Sequence, residues 1–126
     1  MKKQIDSVKD FHKKYNIGYS NCPVANLGEN KNKLRFKLMN EENDEYLVAA
    51  NNNDLIEVAD ALGDMLYILC GTILEHGMHD LIEPIFDEIQ KSNMSKLGLD
   101  GKPILRDDGK ILKGPKYFKP NFSKFF

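Results

Sequence analysis

The stretch that decides the fold is residues 41–64, EENDEYLVAANNNDLIEVADALGD, where two acidic clusters lie inside two apolar helical patterns. The first cluster contains Glu42 and Glu45, and the second contains Glu57, Asp60 and Asp64. Because residues three and four apart share one face of an α-helix, each cluster is expected to direct its carboxylates to one side. The short Asn-rich break between the patterns predicts that the two helices run antiparallel, which could bring the clusters together.

Both clusters fall where the apolar period predicts a core. Glu42 and Glu45 share a side with Leu38 and Ala49, and the second helix is apolar nearly all round. Removing one ionised carboxylate from water costs several kcal/mol unless it is paired or bound to a cation. Since no basic residue lies in either cluster, a hard divalent cation, Mg²⁺ or Mn²⁺, is expected. The alternative is that both clusters are solvent-facing stripes, as most acidic stripes on helices are.

Length and composition predict one globular domain, residues 1–126, because 41% of the residues are hydrophobic and 29% are charged. There is no run of 18 apolar residues, so no membrane contact is expected. The N-terminus MKKQIDSVKD lacks the apolar segment of a secretory signal. Cys22 and Cys70 have no partner at metal-ligand spacing, and we interpret them as reduced thiols of a cytoplasmic protein.

Apolar spacing predicts an all-α protein, a four- to five-helix bundle with an irregular C-terminal tail. Helices are expected at about 3–15, 31–50, from the Asn-rich break to 75, and 81–92, with a loop at 16–31. The helical core would cover about 1–95 and the tail 96–126. Within the tail, Asp107-Asp108-Gly109 between two short apolar runs predicts a small β-hairpin. Gly63 and Gly71 in the third helix are expected to permit close helix approach.

Charge is unevenly distributed along the chain. Residues 1–90 hold 9 lysines and arginines against 16 acidic residues, a net of −7, whereas residues 91–126 hold 9 against 3, a net of +6. This asymmetry suits an anionic, metal-bound substrate, and it equally suits a tail that neutralises the body. The tail residues that could hold outer phosphates are Asn93, Lys96, Lys110 and Lys113, although surface lysines often only confer solubility. No nucleic-acid-binding motif accompanies the charge, so no nucleic-acid partner is expected.

The two clusters form the patterns E-E-x-x-E at residues 41–45 and E-x-x-D at residues 57–60. Together they resemble the paired motifs of the all-α NTP pyrophosphohydrolase superfamily, which includes MazG, dimeric dUTPases and phosphoribosyl-ATP pyrophosphohydrolase. The context EVADALGDMLY at residues 57–67 also matches. SNMSK at residues 92–96, DGK at 108–110 and KGP at 113–115 look like a MazG-like or phosphoribosyl-ATP-pyrophosphohydrolase-like branch. The resemblance covers about residues 30–120.

This resemblance implies hydrolysis of a nucleoside triphosphate to the monophosphate and pyrophosphate, by a homodimer or homotetramer. The residues it implies as Mg²⁺ ligands are Glu42, Glu45, Glu57 and Asp60. Glu41 would lie beside the metal as the base or orienter of the attacking water. Asp64 would contact the base or sugar, or anchor a supporting hydrogen bond. The chemistry is consistent, because phosphoryl transfer needs positioning and charge neutralisation more than covalent help.

Two alternatives remain open from the sequence. Within the superfamily, a phosphoribosyl-ATP pyrophosphohydrolase is the nearest one. Outside it, the chain could be a non-catalytic helical module that binds a nucleotide or a partner protein. Pyrophosphate release that requires Mg²⁺ separates an enzyme from such a module.

Overall fold

A computed structural model describes all residues, 1–126, and confirms the all-α class. There are four helices and no sheet, so the chain has no fifth α-helix. The helices are α1 Lys2–Lys14, α2 Glu29–Asn51, α3 Leu55–Glu75 and α4 Ile82–Met94, and a short 3-10 turn covers Ser123–Phe125. The chain forms two compact units, Met1–Asp80 and Leu81–Phe126. None of the helices is both long enough and apolar enough to span a lipid bilayer.

The first unit is built on α2 and α3, joined by residues 52–54 and packed side by side, with α1 against α3. The connection is short because local polar chemistry ends one helix and begins the next. Asn53 adopts a positive φ of 55°, which asparagine tolerates. Asp54 Oδ1 then accepts hydrogen bonds from the backbone N–H groups of Ile56 and Glu57, at 3.2 and 3.1 Å. As predicted, α2 and α3 are antiparallel neighbours.

The core of this unit is formed by residues of all three helices, with most of its α3 residues in the C-terminal half of that helix. Its buried apolar side chains are Ile5, Val8, Ala49, Ala61, Cys70, Ile73 and Leu74. The N-terminal half of α3 differs from the prediction of a helix buried on all sides, because Leu55 is 81% and Ile56 79% exposed. Within this unit α1 and α2 are the helices that pack against α3, and part of the apolar surface of α3 is exposed to solvent.

The second unit holds α4 and the C-terminal segment that follows it. Glu88 on α4 is buried, accepts a hydrogen bond from the backbone N–H of Asn121 at 2.9 Å and contacts Lys124 Nζ at 2.5 Å. Ser92 Oγ donates to the carbonyl oxygen of Phe118 at 2.8 Å. These polar contacts hold residues 118–124 against α4.

The predicted β-hairpin is wrong. Leu105 and Ile111 form one isolated antiparallel bridge, and the turn closes with a bond from Gly109 N–H to the carbonyl oxygen of Arg106 at 2.8 Å. The bridge does not extend into a pair of β-strands. Both bridge residues are exposed, and a two-stranded ribbon without an apolar face to pack is marginally stable.

Candidate active site

Glu42 lies on the face of α2 that packs against α3, whereas the other acidic residues of the two clusters are exposed, namely Glu45, Glu57, Asp60 and Asp64. Arg35, Glu42 and Ala49 are seven residues apart, so they fall on one side of the helix, and Arg35 and Ala49 are buried. Glu42 is half-buried, and its Oε2 is buried with no hydrogen-bond partner. An unpaired buried carboxylate oxygen is costly in free energy. The site therefore contains an acceptor that nothing in the chain satisfies.

Acidic residues from both helices converge on Glu42. Burial raises the pKa of Glu42 above its ordinary value, and the negative charges of Glu45, Asp64 and Asp60 raise it further. Glu45 comes from α2 and the two aspartates from α3, so the antiparallel packing brings the two sequence clusters close enough to repel each other. None of the ion pairs in the structure involves these four residues.

Glu57 lies toward the α2–α3 connection. It lines a cleft of about 410 Å³ together with Glu45, and the other lining residues are Asp44, Val48, Ala49, Asn52 and Asp54. Glu45 thus belongs both to this cleft and to the group around Glu42. The cleft opens between the C-terminal end of α2 and the N-terminal end of α3. Four of its seven lining residues are acidic, which makes it a candidate space for part of a cation-bound ligand next to the carboxylates.

Glu41 faces away from this group. It is exposed, and its Oε1 lies 4.0 Å from Lys37 Nζ, one turn back along α2. Adjacent helical residues leave the helix in directions about 100° apart, so Glu41 points to one side of the face that carries Glu42. The structure does not bring Glu41 to the carboxylates.

The four basic or amide candidates of the tail all lie in the second unit. Asn93 is exposed near the end of α4, and the backbone carbonyl oxygen of Lys96 accepts a hydrogen bond from Gly114 N–H at 2.8 Å. Lys113 Nζ lies 4.9 Å from the centre of the Tyr117 ring. Lys110 is exposed, and its backbone N–H donates to Asp108 at 3.1 Å. The side chains of Asn93, Lys96 and Lys110 make no hydrogen bond or ion pair, and Lys96 is partly buried.

The donor set has the chemistry that a hard divalent cation requires. Carboxylate oxygens such as those of Glu42, Glu45 and Asp60 suit Mg²⁺ or Mn²⁺, and the unpaired Glu42 Oε2 is the acceptor that a cation would satisfy. As the side chains stand, no three acidic, histidine or cysteine residues are arranged to hold one ion. The residues therefore fit a metal in type and charge, and the carboxylates must rotate to close around it.

The sequence reasoning missed a buried polar group next to this site. Arg35 is 7% exposed, and it reaches across α3 to Thr72, Glu75 and the carbonyl oxygen of Ile68. His12 is buried, with Nδ1 2.8 Å from the carbonyl oxygen of Gly18. The spacing of Arg35 seven residues before Glu42 was the signal that could have revealed it.

Comparison with known proteins identifies the family. The family model described as phosphoribosyl-ATP pyrophosphohydrolase matches residues 8–93, which is more than half of the chain and includes both acidic clusters. Among solved structures, the chain is similar to a protein from Exiguobacterium sp. 255-15 described as a candidate NTP pyrophosphohydrolase, with 24% identity and a TM-score of 0.49 over 93% of this chain and 88% of that one. No curated protein matches. The chain belongs to the phosphoribosyl-ATP pyrophosphohydrolase family, within the all-α NTP pyrophosphohydrolase superfamily.

Proposed function

We propose that the protein is a Mg²⁺-dependent nucleoside triphosphate pyrophosphohydrolase, which converts an NTP or dNTP to the monophosphate and pyrophosphate and so removes unwanted nucleotides from the pool. One observation supports this proposal above the others. Carboxylates from α2 and α3 crowd around Glu42, raise its pKa, and have no cationic side chain to neutralise them. Such a group is useful when a cation and a polyphosphate bind there together.

This arrangement suggests a role for each acidic residue. Glu42, Glu45, Glu57 and Asp60 are proposed to hold Mg²⁺, with Mn²⁺ as a substitute. When bound, the ion would polarise the phosphate and lower the pKa of a coordinated water. Asp64 is proposed to contact the base or sugar of the substrate, or to hold a neighbouring ligand in place by a hydrogen bond.

Glu41 remains the proposed base or orienter of the attacking water, and this role requires a rearrangement. Its carboxylate must give up the 4.0 Å pair with Lys37 and turn toward the α3 side. An exposed pair of this kind contributes little free energy, so the rotation is inexpensive. Asn93, Lys96, Lys110 and Lys113 remain predicted phosphate contacts. Their substitution by alanine should raise KM more than it lowers kcat.

A second candidate is hydrolysis of phosphoribosyl-ATP. The match of the family model to residues 8–93 favours it, because that family is described by this activity. The two candidates use the same metal chemistry on the same α–β phosphoanhydride linkage, and they differ in what the enzyme must recognise beyond the phosphates. Only the substrate panel below separates them.

The test is pyrophosphate release, detected as phosphate after adding an inorganic pyrophosphatase. The panel contains the common NTPs and dNTPs, modified nucleotides and phosphoribosyl-ATP, each with Mg²⁺ and with EDTA. We expect release from at least one nucleoside triphosphate with Mg²⁺ and none with EDTA. Release from phosphoribosyl-ATP alone would establish the second candidate. No Mg²⁺-dependent release from any compound would contradict both, and would favour a non-catalytic binding module.

Variants assign the activity to the acidic residues. Glu42→Gln and Asp60→Asn should abolish turnover while the helical circular dichroism signal is retained. Asp10→Asn, which removes an exposed carboxylate of α1, is the matched control and should leave turnover unchanged. Loss of the helical signal in both site variants would mean that the acids are structural.

We also propose that the active form is a homodimer or homotetramer. The support is the apolar surface of α3 that the chain leaves uncovered, including Leu55, Ile56, Leu62 and Leu69. Exposed apolar patches of this kind are typical of interaction surfaces. Light scattering after size exclusion should give two or four times the chain mass of 14.4 kDa. Leu62→Glu should shift it toward one chain mass, and a wild-type protein that runs as a monomer at all concentrations would contradict the proposal.

A further inference from the structure

The side chain of Arg35 is a buried cation held by three groups of α3. Its Nε donates to Thr72 Oγ1 at 3.0 Å and its Nη2 to the carbonyl oxygen of Ile68 at 2.8 Å. Its Nη1 lies 3.3 Å from Glu75 Oε1. These three acceptors are spread over two turns of α3. A guanidinium is a planar fork with fixed donor directions, so it can satisfy all three only at one position along that helix.

The packing around the Arg35 guanidinium is tight at Gly71. Gly71 lies on α3 between the acceptors, and a Cβ built there would be 2.8 Å from Arg35 Nη2 and 2.8 Å from His12 Nε2. Both contacts are closer than real Cβ atoms tolerate. The glycine therefore opens the pocket that admits the guanidinium and the imidazole side by side. A buried charge without a partner is costly in free energy. Sliding α2 along α3 would therefore be unfavourable, because it would break the contacts of the Arg35 guanidinium.

The same face of α2 carries the acidic residues. Glu42 follows Arg35 by two helical turns, about 10.5 Å along the axis. On the antiparallel α3, Asp64 and Asp60 precede Ile68 by one and two turns. Holding Arg35 opposite Ile68 and Thr72 therefore holds Glu42 opposite Asp64. A shift of one residue along the axis, about 1.5 Å, would displace the carboxylates from one another by the same amount.

We propose that Arg35 is a positioning residue that fixes the axial register of α2 on α3 and thereby brings Glu42 into the group with Asp60 and Asp64. The part of this inference that concerns metal binding rests on the proposed function. The part that concerns register does not. Arg35 touches neither metal nor substrate in this account, and it acts through the placement of Glu42.

The experiment compares Arg35→Met, Arg35→Lys and Val8→Ala with the wild type. Methionine removes the charge and the fork, and lysine keeps the charge but can make only part of the three contacts. Val8 is a buried apolar residue of α1, so Val8→Ala lowers stability without touching the Arg35 contacts. Two readouts are used for each protein. The first is the offset between Glu42 Cα and Asp64 Cα measured along the axis of α3 in crystals, and the second is the Mn²⁺ dissociation constant from electron paramagnetic resonance titration.

We expect Arg35→Met to move α2 along α3 by about 1.5 Å or more. Its Mn²⁺ affinity should fall by roughly tenfold or more, as is typical when a residue that supports metal ligands is lost. In both readouts Arg35→Lys should lie between Arg35→Met and the wild type. If the methionine variant does not fold, Arg35→Lys alone tests the positioning role. Val8→Ala should match the wild type in both readouts.

The outcomes separate the two proposals. An unchanged helix register in Arg35→Met, or in Arg35→Lys if only that variant folds, would overturn the positioning role whatever the metal affinity. If the arginine variants and Val8→Ala had equal effects on both readouts, the positioning role would also be overturned, because Arg35 would then contribute only to stability. A wild-type protein that fails to bind Mn²⁺, with the register shift still present in the arginine variants, would reject the metal site and leave the register role intact.

Discussion

Arg35 Nη2 on α2 lies 2.8 Å from the carbonyl oxygen of Ile68 on α3, across 33 positions of the sequence. The bond joins the two helices that carry the acidic clusters, at the end of their contact away from the α2–α3 connection. At the other end, Asp54 caps α3 and residues 52–54 fix the chain reversal. The Glu42 group lies between these two fixed points, so its geometry is defined from both sides.

Replacing each of two helical glycines of α3 by alanine should change the free energy of unfolding in opposite directions. Gly71→Ala places a methyl group against Arg35 and His12, and we expect it to lower the free energy of unfolding by about 1–3 kcal/mol. Gly63 has open space around the built Cβ, so Gly63→Ala should raise it by about 0.5–1 kcal/mol. Urea denaturation followed by circular dichroism measures both. Equal shifts of the same sign would mean that the pocket around Gly71 is not tight.

Asp54 should stabilise the start of α3 through its side chain. Asp54→Ala removes the acceptor for Ile56 N–H and Glu57 N–H and should lower the free energy of unfolding by about 1 kcal/mol. Asp54→Asn is the matched control, because asparagine caps as well as aspartate does. If the alanine and asparagine variants unfold at the same urea concentration, the cap contributes nothing measurable.

Much of the fold follows from local rules that the sequence displays. The four helices appear within a few residues of their predicted ends, because apolar spacing, the Asn53–Asp54 break and the glycine after α3 act on neighbouring positions. The hairpin failed for a non-local reason. The turn residues are suitable, but a strand pair needs an apolar partner surface, and no turn motif reveals whether one exists.

The candidate site was only partly predictable for the same reason. Helical periodicity correctly places Glu42 on the packed face of α2, whereas Glu45, expected on the same face, is exposed, and the short connection turns α3 back toward both. Glu41 is adjacent to Glu42 in the motif, yet its direction on the helix takes it to Lys37. The contacts of Arg35 depend on the exact register of two helices, which periodicity does not specify.

Glu88 should make the attachment of the C-terminal segment sensitive to acid. Hydrogen bonds from Lys124 and from the backbone N–H of Asn121 hold the pKa of Glu88 below its ordinary value of 4.5. A lowered pKa means that the folded state prefers the charged form, so the stabilisation is complete above about pH 4.5 and is lost as the pH falls toward the lowered pKa. The ¹⁵N relaxation of Asn121 should therefore report increasing motion below that pH.

Two variants complete this pH experiment. Glu88→Gln should show the mobile Asn121 signal already at pH 7, and acid should change it little. Asp87→Asn, an exposed neighbour on α4, should behave like the wild type. A segment that is equally ordered in Glu88→Gln and in the wild type at neutral pH would remove Glu88 from this role.

The central claim is that the carboxylates around Glu42 repel one another in the free protein and are compensated by a divalent cation. Thermal unfolding of the wild type and Glu42→Gln, each in EDTA and in Mg²⁺, tests it most directly. In EDTA, Glu42→Gln should melt at a higher temperature than the wild type, because it loses a half-buried charge held next to three others. Mg²⁺ should raise the wild-type Tm, because at one hundred times its Kd it would add about 2.7 kcal/mol to the free energy of unfolding. The Tm of the variant should not change. A wild-type Tm that Mg²⁺ does not move, together with a Glu42→Gln variant that is less stable in EDTA, would contradict the account.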